Sequence, residues 1–212
     1  MALNKLKYNS FNVTPAASEA IRFNSDADGF ETATAGGSLV KISSTTASSS
    51  ASISFTSGLT STYKEYIFIF NNIHPSASSH LTFQCSTDSG SNYNTTLTSS
   101  FFQAEFAEAG SNEALGYQSS SDQAQGTAFQ RLFSSVTTTA DDSGSGYLHL
   151  FEPSSTTFVK HFMATANNVA SAYTQNSFVA GYFNTTSAID AIQFKMSTGN
   201  IDSGTIAMYG VS

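Results

Sequence analysis

Residues 65–74 read EYIFIFNNIH, the most strongly apolar run in the chain, and its reading decides the fold. Successive side chains of a β-strand alternate between the two faces of a sheet. Tyr66, Phe68 and Phe70 therefore point one way, and Ile67 and Ile69 the other. A strand apolar on both faces is the mark of a central strand covered on both sides. A helix suits the run less well, because it is short, β-branched and aromatic, and His74-Pro75 closes it.

Outward from this strand, the same signal recurs at short intervals. Val40 and Ile42 alternate with polar neighbours, as do Ile53 and Phe55, and Leu81, Phe83 and Cys85. Beyond the Asp141-Asp142-Ser143-Gly144 turn come YLHLF (147–151), FVKHFMA (158–164), FVAGYF (178–183), AIDAIQFKM (188–196) and TIAMYGV (205–211). Short strands separated by Pro, Asn, Gly and Ser clusters predict an all-β chain, a two-sheet antiparallel sandwich of jelly-roll-like type. A closed eight-stranded barrel is the alternative. Residues 95–142 are less regular: SFFQAEFAEAG reads as a strand, or as a short helix with Phe102, Phe106 and Ala109 on one side. The polar stretch after it, with Glu113 and Asp122, reads as a functional loop or a surface excursion.

Residues 1–38 differ in kind. Apolar residues there are isolated, and Pro15 and Gly36-Gly37 punctuate them. We expect an extended N-terminal arm (1–38) that docks on something else, followed by the sandwich domain (39–212). Within the arm, Asn24, Asp26, Asp28 and Gly29 match the first, third, fifth and sixth positions of a calcium loop, a weak metal candidate. The match fails at the twelfth position, where Ala35 replaces the bidentate Glu, and an Asp-Gly turn explains the residues as well.

Composition narrows the chemistry. Charged residues are 11% of 212, with 8 Lys plus Arg and a net charge of -7, so no basic stripe exists to grip nucleic acid. The single Cys85 excludes an internal disulfide framework and reads as a buried thiol. MALNKLKYNSFN lacks the apolar segment of a secretory signal, and no run is long enough for a membrane span, so neither export nor membrane insertion is expected. His74, His80, His149 and His161 lack metal-ligand spacing, although His149 and His161 could face each other across a hairpin. The GSG around Ser145 does not complete a nucleophile elbow. Glu105 with Glu108, or Asp141 with Asp142, could serve as glycosidase carboxylates only at a separation that sequence does not give. No catalytic residue and no cofactor is expected. Tyr93, Tyr117 and Tyr173 sit in polar surroundings and are the candidate binding residues, as aromatics that could stack on sugar rings.

KISSTTASSSASISFTSG, EYIFIFNNIHP, STDSGSNYN, HLFEPSSTTFVKHF and above all FVAGYFNTTSAIDAIQFKMSTGNIDSGTIAMYG resemble segments of virion structural proteins of marine tailed bacteriophages, including those of cyanobacteria. The resemblance runs from Ser38 to the C-terminus; IRFNSDADGFETA in the arm is similar to short pieces of phage fibre proteins. It implies a non-enzymatic particle component on the virion exterior, assembled in the host cytoplasm. The expected role is a tail fibre or adhesin, with loops 86–94 and 110–126 facing a host glycan or protein. The rival roles are a head-decoration protein and a carbohydrate-binding or carbohydrate-active module. Expected partners are other copies in a homotrimer and further virion proteins through the arm.

Overall fold

The structure is a computed structural model that describes residues 19–34, 38–111 and 113–212. Residues 1–18 and 35–37 of the predicted arm, Ala35 included, lie outside the described residues. The described part of the arm is a two-stranded hairpin, β1 (Glu19–Phe23) and β2 (Phe30–Thr34), with Phe23 stacked on Phe30 at 4.9 Å.

Residues Lys41–Val211 form a compact unit of their own. The strands that follow the hairpin are β3 (Leu39–Thr46), β4 (Ile53–Phe55), β5 (Glu65–Pro75), β6 (Leu81–Ser86), β7 (Leu97–Ala107), β8 (Glu113–Tyr117), β9 (Gln130–Arg131), β10 (Gly144–Phe151), β11 (Lys160–Ala170), β12 (Tyr173–Phe183), β13 (Ala191–Met196) and β14 (Ile201–Val211). They make a two-sheet antiparallel sandwich. The large sheet has the order β3-β14-β5-β10-β11-β12-β7-β8 and the small one β4-β13-β6-β9. Among the described residues both sheets have free ends, a sandwich and not the closed barrel of the alternative.

Phenylalanines join the layers. Phe55, Phe83 and Phe194 of the small sheet meet Phe68, Phe162 and Phe183 of the large one, with ring centroids 5.1–6.0 Å apart. Cys85 is fully buried in this layer, and burial raises its thiol pKa. The small sheet's β6 is also covered on its other side. Gln84 Nε2 donates to the Thr127 and Ala128 carbonyls (3.1 and 3.0 Å), which lays segment 127–128 across it.

Residues 97–107 are a strand, paired with β12 over eleven positions. Two expectations about neighbouring segments shift. Phe158 belongs to the exposed loop before β11, and His149 lies opposite Met163, two positions along the strand from His161. The central strand β5 keeps Tyr66, Phe68 and Phe70 fully buried, whereas Ile67 and Ile69 on the other face remain half-exposed.

Two buried charges serve the fold. Lys160 is enclosed with its Nζ donating to the Thr185 carbonyl at 3.1 Å, and burial lowers its pKa. Asp142 accepts from Thr137 Oγ1 and from the Ser171 backbone N–H (2.9 Å), which ties loop 137–143 to the β11–β12 hairpin.

Candidate functional site

Two surfaces of the sandwich combine side chains in ways the fold does not need. The first is the outer face of the large sheet. Strand register sets Ile69, Tyr147, Thr165, Phe178, Phe102 and Tyr117 in one row across six strands. A second row holds Ile67, His149, Met163, Ala180 and Ser100. Phe102 and Phe178 stack nearly parallel, 4.8 Å apart, as a ridge. Beside the ridge, a trough of about 430 Å³ runs over Met163, Thr165 and Ala180 toward Tyr147, His149 and Phe151. His149 Nδ1 contacts the Glu65 carboxylate at the margin of this face.

The second surface is a polar pocket of about 480 Å³ where segment 120–129 passes β6 and β9. Arg131 anchors it. Its Nε donates to the Phe133 carbonyl (3.0 Å), Nη1 to Ser121 Oγ (3.2 Å) and Nη2 to Ser134 Oγ (2.8 Å), and the guanidinium lies 5.4 Å from the centre of the Phe101 ring. Among the described residues no carboxylate pairs with this cation. Burial lowers its pKa. His80, Asp122, Gln123 and Phe129 complete the lining, with Lys195 Nζ 4.0 Å from the centre of the Phe129 ring. Two buried atoms of the lining, His80 Nδ1 and Asp122 Oδ1, have no hydrogen-bond partner. Buried polar atoms in native proteins are nearly always paired, so such orphans mark where an additional group can bind.

Burial, and then the Arg131 charge, lower the His80 pKa. The folded protein thus holds His80 neutral at pH values where the unfolded chain, with a histidine pKa of about 6.5, begins to bind a proton. The stability from this group is complete above that unfolded value and drains as pH falls through the lowered folded value. We expect the urea midpoint of the native chain to fall more steeply between pH 7 and pH 5 than that of His80→Gln; parallel slopes would remove this account.

The three tyrosines singled out from sequence do not converge. Tyr117 is 63% exposed on β8, opposite Phe102, so it belongs to the outer sheet face. A hydrogen bond with Asp122 is the main cause of its raised pKa, and links that face to the edge of the polar pocket. Tyr173 opens β12, and alternation puts its side chain on the opposite face from Phe178. Tyr93 packs its ring against Gly90 with its hydroxyl buried and unpartnered. The loop around it is held by Asp88, which accepts from Ser86 Oγ (2.6 Å) and the Asn92 backbone N–H (2.8 Å). Those bonds lower the Asp88 pKa to about 2.

Asn24 and Asp28 act in the β1–β2 turn. Asn24 Oδ1 accepts the backbone N–H groups of Asp28 (3.1 Å) and Gly29 (3.2 Å), and its Nδ2 donates to Asp28 Oδ1 (2.8 Å). Asp26 makes none of these bonds. Among the described residues no group of three or more His, Cys, Asp or Glu could hold a metal. Of the carboxylates weighed above, Asp142 is buried in the loop tie, and Glu105 accepts from Gln103 (3.2 Å) and Gln175 (3.1 Å).

Sequence reading missed Arg131, Phe129 and the outward row of Phe102 and Phe178. The row was accessible in principle, since Phe102 and Tyr147 alternate outward from buried Phe101 and Leu148. The pocket was not, because its residues come from three segments distant in the chain, residues 80–82, residues 120–131 and Ser197. Comparison with protein-family models, curated proteins and solved structures returns no match to this chain.

Proposed function

We propose that this chain is a non-enzymatic structural protein on the exterior of a tailed bacteriophage particle, serving in a tail fibre or adhesin that contacts the host surface. The resemblance from Ser38 to the C-terminus supplies the particle. Residues 113–117 of the expected loop 110–126 are strand β8, paired with β7; the observation that carries the adhesin role is the polar pocket walled by residues 120–126, which follow that strand. Guanidinium, imidazole, carboxylate and carboxamide groups beside a phenyl ring offer donors, acceptors and an apolar plate, which is the chemistry a host saccharide requires.

The rival reading, a head-decoration protein that clamps capsomers, is favoured by the edge strand β8 of the large sheet, where Leu115 is 75% exposed, since an open strand edge can pair with another protein. Copy number per virion separates the two, by quantitative mass spectrometry against the major capsid protein. A few to a few tens of copies supports the tail; one copy per several capsid subunits overturns it. Purified chain should also bind host cells or their surface polysaccharide. Asp122→Ala should weaken that binding by about tenfold, the effect of losing one hydrogen bond to a charged group. Absence of binding at micromolar protein would sink the adhesin role.

A further inference from the structure

We infer that the outer face of the large sheet is an interface between two copies of this chain, packed sheet against sheet about a twofold axis. The inference is independent of the particle role, because it rests on the face alone.

Four observations carry it. The first is composition. Three rows cross the face, from Tyr209, Ala207 and Val211 of β14 through Ile67, Ile69 and Glu65 to Ser100, Tyr117 and Thr98, and their one Lys, Arg, Asp or Glu side chain is Glu65, at the margin and in contact with His149. Met163 stands there 57% exposed and Phe102 43%.

Size is the second. Seven strands, β14 to β8, share the face. At about 4.8 Å between strands they span roughly 29 Å, and three outward rows along each strand add roughly 20 Å. The footprint of roughly 600 Å², enlarged by the relief of the side chains, approaches the ~800 Å² per partner of a stable interface.

Shape is the third. The Phe102–Phe178 ridge and the trough over Met163 and Ala180 lie side by side on one surface. A twofold rotation places the ridge of one copy over the trough of the other, which is what an isologous contact needs.

Finally, β5 presents Ile67 and Ile69 on this side, and a central strand apolar on both faces is built for two covering layers. Face-to-face packing of a second sheet supplies the missing layer. A glycan fits the centre of this face poorly, because its hydroxyls would meet the phenyl and thioether groups of Phe102, Phe178 and Met163. The net charge of -7 on each copy does not forbid the contact, since charges away from the face are screened within about 8 Å at physiological salt. This arrangement differs from the threefold assembly that the resemblance implies, because here the same patch meets itself.

The test is the mass of the full chain in solution, by sedimentation equilibrium across micromolar concentrations. We expect a two-chain species. Met163→Lys and Phe178→Asp should each weaken it by about a hundredfold or more, as for a central contact of an interface. Ser54→Lys, on the outer face of the small sheet, should leave it intact. Far-UV circular dichroism and the unfolding midpoint of Met163→Lys, read at concentrations where it is monomeric, confirm that the variant is folded. A native chain that stays monomeric, forms a trimer, or forms a dimer indifferent to both substitutions would overturn the inference.

Discussion

Phe83→Ala is expected to lower folding stability by about 3–5 kcal/mol, the range for removing a fully buried aromatic ring. Phe83 has no exposed surface, and its ring lies 5.1 Å from that of Phe162, 6.0 Å from Phe183 and 6.3 Å from Phe194. It therefore touches both sheets at once, and its loss leaves a void that neither layer can close without moving a ladder of hydrogen bonds. The same truncation at Phe102, which faces outward and is stacked only on Phe178, should cost about 1 kcal/mol, the value of an aromatic pair. Urea unfolding of both variants checks the contrast, at a concentration where the native chain is monomeric. Equal losses would mean that the sheet core does not pass through Phe83.

Gly146→Ala is the second change with a large expected effect, at least about 2 kcal/mol, because overpacking against backbone cannot be relieved by a rotamer. A Cβ at residue 146 would stand 2.4 Å from the Thr165 carbonyl oxygen and 2.6 Å from the Ala166 Cα, both in the neighbouring strand β11. The β5–β10 register also shifts between Gly144 and Gly146, so the strand is already irregular there. The β10–β11 pairing must open to admit the methyl group. At Gly116 a Cβ would meet nothing within 4 Å, and its φ is not in the left-handed region. Gly116→Ala should thus hold stability or raise it by about 0.4–1 kcal/mol through the unfolded chain. Thermal unfolding of the pair reads the difference directly, and a Gly146→Ala midpoint equal to that of the native chain would refute the steric argument.

How far the sequence could be read depended on which spacing each segment offered. The alternation in LTFQC is specific to period two, while EYIFIF is apolar throughout and was legible because it is short, β-branched and aromatic; both are strands. SFFQAEFAEAG was ambiguous for a definite reason: Phe102 and Phe106 are four apart, and that spacing puts two residues on one face of a helix and of a strand alike. Eleven paired positions with β12 decide for the strand. The candidate site was less legible. Tyr117 was singled out and is exposed, but as part of a sheet face; Tyr93 and Tyr173 are held elsewhere. The charges that matter to the polar pocket are isolated in sequence, and nothing local distinguishes Arg131 from a surface arginine.

By itself, then, the sequence determined that the chain is an antiparallel β-sandwich, because the period of two and the turn residues are local properties that each segment carries. The tertiary structure alone decided which of β5's two apolar faces is buried, that Lys160 lies inside, and that His80, Asp122 and Arg131 line one pocket. These follow from register between strands distant in the chain, and register is chosen by the summed packing of both sheets, which no single segment encodes.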